Sequence, residues 1–285
     1  MAETQSVKAL KRTEPALVVD AEDGSPIQKI WDQHRTALTR IVAAILFFGG
    51  WEWAVRSESV NPLFISSPTM IGTRLFEVFA DGSIWPHIRA SGEIAGLGFI
   101  LSVLVGVPLG MLMGRVRLVR DTLEPLIMAK YSSPTVAFLP LLIIWFGIGT
   151  WSKVVLVFLG GVLIIIINTE AGVANVDRQL IETAKSFTAN EYQILSKVVI
   201  PGAIPFIITG MRLAVGRILI LVVVAELYGS SAGLGYIIFQ ASANYDTATI
   251  FVGVIILAVV GIFLNASLRA IETHLTPWTT TFSKW

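Results

Sequence analysis

Cysteine is absent from this 285-residue sequence, so disulfides, thiolate chemistry and cysteine-based metal sites are excluded. Charge is scarce as well. Only 14% of residues are charged against 54% hydrophobic, where ordinary globular domains carry about 25% charged residues. Lys and Arg outnumber Asp and Glu by 21 to 20, a net charge of +1, which leaves no basic field suited to nucleic acid. The three histidines, His34, His87 and His274, lie far apart and have no metal-ligand spacing. There is no G-x-x-x-x-G-K followed by Ser or Thr, so the chain lacks the backbone nest and lysine needed to hold ATP. What the sequence does have is long apolar runs, with a mean hydropathy of +0.73. They mark a membrane protein.

A charge at the bilayer centre costs roughly 2.5–3.5 kcal/mol on insertion scales, so stretches free of Asp, Glu, Lys and Arg locate the spans. Ile94 to Gly114, Tyr131 to Ser152 and Thr247 to Leu268 supply 21, 22 and 22 such residues, against about 20 for a 30 Å hydrocarbon core. Val154 to Thr169 adds 16. Ile204 to Leu227 is apolar except for Arg212, Arg217 and Glu226, and Thr36 to Val55 has an apolar centre at Ile41 to Trp51. Six spans are expected.

Short loops retain Lys and Arg on the cytoplasmic side. Placing the N-terminus inside puts about 14 of the 21 basic residues there, and brings Trp51, Trp53, Trp85, Trp145, Trp151, Tyr228, Tyr236 and Tyr245 near the outer span ends, where interfacial aromatics belong. Both termini are therefore expected in the cytoplasm. Residues 1–35 have no apolar run and read as a flexible cytoplasmic tail, with neither a signal peptide nor a span. The six-span domain is expected over 36–285. Ile71, Leu75, Val78 and Phe79 recur at helical spacing and suit a helix lying on the outer membrane surface.

The expected fourth and fifth spans are separated by Glu170 to Ile200, far more than a bundle loop requires. Leu180, Ile181, Ala184 and Phe187 recur at helical spacing, Ile194 and Val198 continue it, and Glu182, Lys185 and Ser186 fill the other face. Such a helix can pack on the membrane surface or offer a face to a cytoplasmic partner. Periodicity alone does not choose.

The run Glu182-Thr183-Ala184-Lys185, with Ile194 and Ile200-Pro201 behind it, resembles the E-A-A loop of ABC importer permeases. Further matches are Ser67-Pro68, Pro108 between Gly106 and Gly110, Pro134 with Ala137 and Pro140, the run Trp145 to Gly149, Asn168-Thr169, Gly216-Arg217, Val224-Ala225-Glu226 and Gly233-Leu234-Gly235. In this ordered set, covering about 65–275, the chain resembles the nitrate, sulfonate, taurine and bicarbonate permease branch.

The resemblance implies an all-α fold of six transmembrane helices with a cytoplasmic coupling helix, the MetI-like fold of type I importers, in a bacterial inner membrane. It implies two cytoplasmic ABC ATPase subunits that bind ATP and Mg, a periplasmic or extracellular solute-binding protein, and a second permease subunit, with this chain as one half of a homodimer. No cofactor and no catalytic residue are expected in this chain. Glu182, Thr183, Ala184, Phe187, Thr188, Ile194 and Pro201 are the expected coupling residues. One departure from the pattern is Thr188, where the loop's usual glycine stands. An ordinary turn is expected there, with the Thr188 hydroxyl capping the next helix and Pro201 restarting the chain toward the fifth span.

Arg212 and Arg217 are expected inside a span, where arginines face protein or water. Five residues apart, they point about 140° away from each other. Lys130, Tyr131 and Ser133 precede Pro134, which frees a backbone carbonyl able to face a cavity. With Glu226 these residues are the candidate translocation path. Cations outnumber the single carboxylate, which favours an anionic solute such as nitrate, bicarbonate, a sulfonate or a carboxylate. Ser231, Gly233, Leu234 and Gly235, on a hinge before a short apolar piece, are expected to form a re-entrant outer gate loop.

Two rivals remain. Gly229 to Gly233 matches G-x-S-x-G, and Asp246 and His274 follow in hydrolase order, but the topology sets Ser231 and His274 on opposite sides of about 30 Å of bilayer. A secondary transporter or channel without an ATPase partner would show a repeat or a mid-membrane relay, and neither is visible.

Overall fold

The computed structural model describes residues 26–61 and 64–277, with the side chains of 26–34 and 36 outside the description. Every regular element among them is helical. Most of the expected tail, residues 1–25, lies outside the described residues. Its last ten residues begin helix α1, which runs Pro26–Arg56. Proline is well placed in a first helical turn, where its missing N–H costs nothing. By contact the chain divides into Met1–Trp53 and Ala54–Trp285. In the first unit, Leu38, Ile45, Leu46 and Phe47 are exposed, as suits a span meeting lipid.

In the second unit, α2 (Pro68–Ala80) begins at Ser67, whose hydroxyl accepts the Met70 N–H. It is the helix expected around Ile71. Helices α3 (Trp85–Arg115) and α6 (Thr150–Ala174) cross the membrane, as does a continuous helix Glu191–Glu226. The last crossing is α11 (Thr247–Leu275).

The core is a three-helix seam. Gly98, Ser102, Gly106, Gly110 and Gly114 recur every fourth residue on α3, a small-residue stripe that lets two membrane helices approach closely. A Cβ on Gly110 would lie 2.6 Å from Thr169 Cβ, and one on Gly106 2.9 Å from Ile165 Cγ2. Val157 and Ile165 of α6 also join Ile218, Leu221 and Val222 of the fifth crossing in one buried cluster.

The third expected span, Tyr131 to Ser152, is not a single helix. The chain instead forms α4 (Arg117–Ser132), a 3-10 turn Thr135–Phe138 and α5 (Leu139–Phe146), with the two arms bent by 92°. The break follows from Pro134, which forces Ser133 out of the helical region to ψ 139°. Gly147, at φ +77°, ends α5. Among the described residues, five helices are therefore long and apolar enough to cross, and the bent pair makes a sixth if it counts as one span.

Candidate functional site

The long cytoplasmic-type connection is a built structure. Asp177 caps α7 (Arg178–Ser186) by accepting the Gln179 N–H. At its other end Thr188 N–H donates to Lys185 O at 2.9 Å and Ala189 N–H to Ala184 O at 3.1 Å, the paired bonds of a Schellman cap. That cap needs a left-handed residue, and Thr188 takes φ +59°. The expected ordinary turn is thus corrected, since Thr188 adopts the conformation that favours glycine. Nor does its hydroxyl cap the next helix. Asn190 does so, accepting the Gln193 N–H while the Gln193 side chain accepts the Asn190 N–H.

Helix α8 (Glu191–Ile194) passes through a π-turn, Leu195–Val199, into α9 (Ile200–Glu226). Pro201 therefore does not restart the chain. The helix runs through it, and the widened turn just before accommodates a ring that has no N–H and would press on the preceding carbonyls.

The finger has two faces. Ile181, Ala184 and Ala189 pack on the buried cluster of Val176, Ile194, Val199 and Ala203. Glu182, Thr183 and Thr188 are exposed, beside Leu180, Phe187 and Tyr192 at 57%, 80% and 77% exposure. Two ion pairs tie its flanks to the bundle. Arg115, closing α3, pairs with Glu191, and Arg120 Nε of α4 lies 2.6 Å from Glu170 Oε1, with poor hydrogen-bond alignment.

At the other end of α9 a second constellation forms around the loop into α10 (Leu234–Ala243). Glu226 is 1% exposed. Ser91 donates its hydroxyl to Glu226 Oε1 and the Gly235 N–H donates to Oε2, each at 2.7 Å. Leu234 N–H donates to Ser91 Oγ at 2.7 Å and Gly233 N–H to His87 Nδ1 at 3.1 Å. The three leading N–H groups of α10, which a helix start leaves without partners, are all satisfied by side chains from α3 and α9. Gly233 sits at φ +131°, and a Cβ there would lie 2.5 Å from Glu226 Oε1. Lys153, 7% exposed at the start of α6, donates to Ser230 Oγ and lies 3.5 Å from the Gly229 carbonyl oxygen.

Both oxygens of Glu226, one of the candidate path residues, hold the loop. Ser231 is exposed, while Gly233, Leu234 and Gly235 are buried.

Sequence reasoning missed Lys153, Ser91 and His87 as parts of this constellation. A signal existed for Lys153, the single charge between Lys130 and Glu170, since intramembrane charges are rarely without purpose. Ser91 and His87 gave none.

The remaining candidates separate. Arg212 pairs with Glu272 of α11 at 3.4 Å and lies 3.4 Å from Thr209 Oγ1. Arg217 is exposed. Lys130 donates to Thr135 Oγ1 at 3.2 Å and lies over the Phe138 ring, 4.7 Å from its centroid. Tyr131 is exposed, and Ser133 Oγ donates back to Ala129 O. The 3-10 turn and α5 also border an apolar cavity of about 510 Å³ that includes Val136, Pro140, Ile144 and Tyr228. The hydrolase arrangement is absent. Asp246 caps the first turn of α11 and His274 closes its last, about 40 Å apart at 1.5 Å per residue.

Residues 106–281 match the family model described as "Binding-protein-dependent transport system inner membrane component". The taurine transport system permease of Escherichia coli K12 is 32% identical over 253 residues, covering 87% of this chain and 92% of that protein. The putative aliphatic sulfonates transport permease of Bacillus subtilis is 36% identical over 219 residues, 77% of this chain and 79% of that one. In fold, the chain resembles the inward-facing MetNI methionine ABC transporter, with a TM-score of 0.58 at 20% identity over 68% of this chain and 98% of the other.

Proposed function

The chain belongs to the family of binding-protein-dependent transport inner membrane components and is a permease subunit of an ABC importer, and on that premise we propose that it works as one half of a homodimer importing a small anion. Two ABC ATPase subunits, binding ATP and Mg, dock on the exposed face of the α7 finger. A solute-binding protein delivers the solute at the Ser231–Gly235 loop from outside. Both chain termini are cytoplasmic. Closure of the ATPase pair drives the two fingers together, and the bundle changes from one access to the other.

The observation that carries this is the finger itself, locked on the inside by Ala184, Ala189 and Ile194 and leaving Leu180, Glu182 and Phe187 bare on the outside. An exposed apolar face on a rigid element is what a mechanical contact requires. A channel or secondary transporter has no use for it. The anionic solute is supported by the sulfonate and taurine relatives and by the excess of cations along the candidate path.

Because the chain contains no cysteine, Phe187→Cys gives a single attachment point. A thiol crosslinker in membranes carrying the whole transporter should join it to an ABC ATPase subunit. Crosslinks only to lipid-exposed proteins, or labelling only from the outer side, would overturn the proposal.

A further inference from the structure

We propose that Arg217 and Lys130 form a station for the anionic head of the transported solute, whereas Arg212 is a structural cation. The two arginines share α9 but not their surroundings. Arg212 has the Glu272 carboxylate. Arg217 is exposed and has no carboxylate within ion-pair distance among the described residues. Its stem runs alongside α6, with Arg217 Cγ 3.8 Å from where a Cβ on Gly160 would stand, an ordinary contact distance. Arg217 lies nine residues, about 13 Å, from Glu226 at the outer end of the helix. At that depth a guanidinium must meet protein or a water-filled cavity, not lipid.

Lys130 comes from a different element. It closes α4 at the 92° break, and its ammonium is held by the Thr135 hydroxyl and the Phe138 ring, partners that fix its position without neutralising it. The 3-10 turn carrying both partners packs against α9, the helix that carries Arg217. Two like charges on neighbouring elements raise each other's energy, and an anion between them relieves both. A planar guanidinium fork beside a point ammonium suits the oxygens of a sulfonate or carboxylate head. No carboxylate of the described residues competes for the place, so the site is kept for a passing ligand.

This rests on the permease reading, but its test needs neither the ATPase nor a known solute, so its failure would leave that reading intact. Leu213 and Ile220, four residues before and three after Arg217, share its face and are 56% and 61% exposed. In unsealed membranes, Leu213→Cys and Ile220→Cys are reacted with methanethiosulfonates bearing either a sulfonate or a quaternary ammonium head. The ratio of the two rates reports the local potential, because thiol ionisation affects both alike. Relative to their rates with a free thiol in solution, the sulfonate reagent should be favoured, and Arg217→Gln or Lys130→Gln in the same background should lower the ratio by about tenfold or more, the scale of charge focusing in clefts. Arg217→Lys, which keeps the charge and guards against misfolding, should preserve most of it. If the face meets lipid headgroups instead, neither reagent will react. That result, or a ratio indifferent to Arg217 and Lys130, overturns the proposal.

Discussion

Ser91 of α3 donates its hydroxyl to the Glu226 carboxylate of α9 across 2.7 Å, 135 residues away in sequence. The same serine oxygen accepts the Leu234 N–H, so three helices meet at one buried hydroxyl. Glu226→Ala would leave the serine hydroxyl and the Gly235 N–H unsatisfied at a buried site, at a cost of about 1–3 kcal/mol. Glu226→Gln keeps an acceptor and should lose less. Thermal unfolding in mild detergent should rank wild type above Gln and Gln above Ala. An Ala variant as stable as wild type contradicts the anchoring role.

Gly233→Ala combines a left-handed backbone with a Cβ driven into the Glu226 carboxylate, a strain on the order of 1–3 kcal/mol. The strain should appear locally, as faster amide exchange through α10 with the α3–α6 seam still protected. Exchange unchanged at Leu234 and Gly235 would show that the loop is not held through these contacts.

On the seam, Gly110→Val should destabilise the bundle by about 1–3 kcal/mol, the usual cost of overpacking, because Ile166 O and Thr169 Cβ lie 2.7 and 2.6 Å from where the new atom goes. Gly96→Ala, with nothing within 4 Å, should be neutral or gain up to about 1 kcal/mol of helix propensity. Equal losses in the two would refute the close approach.

Thr188→Gly removes a β-branched side chain from the left-handed region, where an L-residue pays about 1–2 kcal/mol. The folded protein should gain part of this, offset by the greater freedom of glycine in the unfolded chain, and ATP-driven uptake should persist. A lower melting temperature would mean that the Thr188 side chain makes a contact of its own.

Glu182→Lys places the opposite charge on the exposed face of α7 without touching its buried side. The bundle should melt at the wild-type temperature, while ATPase co-purification and uptake fall by about tenfold, equivalent to 1.4 kcal/mol at the contact. Wild-type association and uptake would remove Glu182 from the docking face.

How much was legible in the sequence differs from element to element. The crossings at Ile94–Gly114 and Thr247–Leu268 were read off because transfer into lipid is paid residue by residue along a run. The α7 finger was legible because Leu180, Ile181, Ala184 and Phe187 recur at helical spacing. The 92° break inside the expected span Tyr131–Ser152 was not measurable from hydropathy, which has no term for the ψ that proline imposes on Ser133. Thr188 failed for a related reason: the Schellman bonds of Ala189 and its seat on the core outweigh a local preference worth about 1–2 kcal/mol.

From the sequence alone came the membrane class, the approximate crossings, the finger and the family, since each rests on composition, period or residue order, all of which are properties of one dimension. Only the tertiary structure decided which charges are spent and which are free. Arg212 meets Glu272 sixty residues on, Lys153 meets Ser230 seventy-seven residues on, and Arg217 meets no carboxylate among the described residues. Electrostatic energy depends on distance in space, and no local pattern records which distant residues a bundle brings to within a few ångströms of each other.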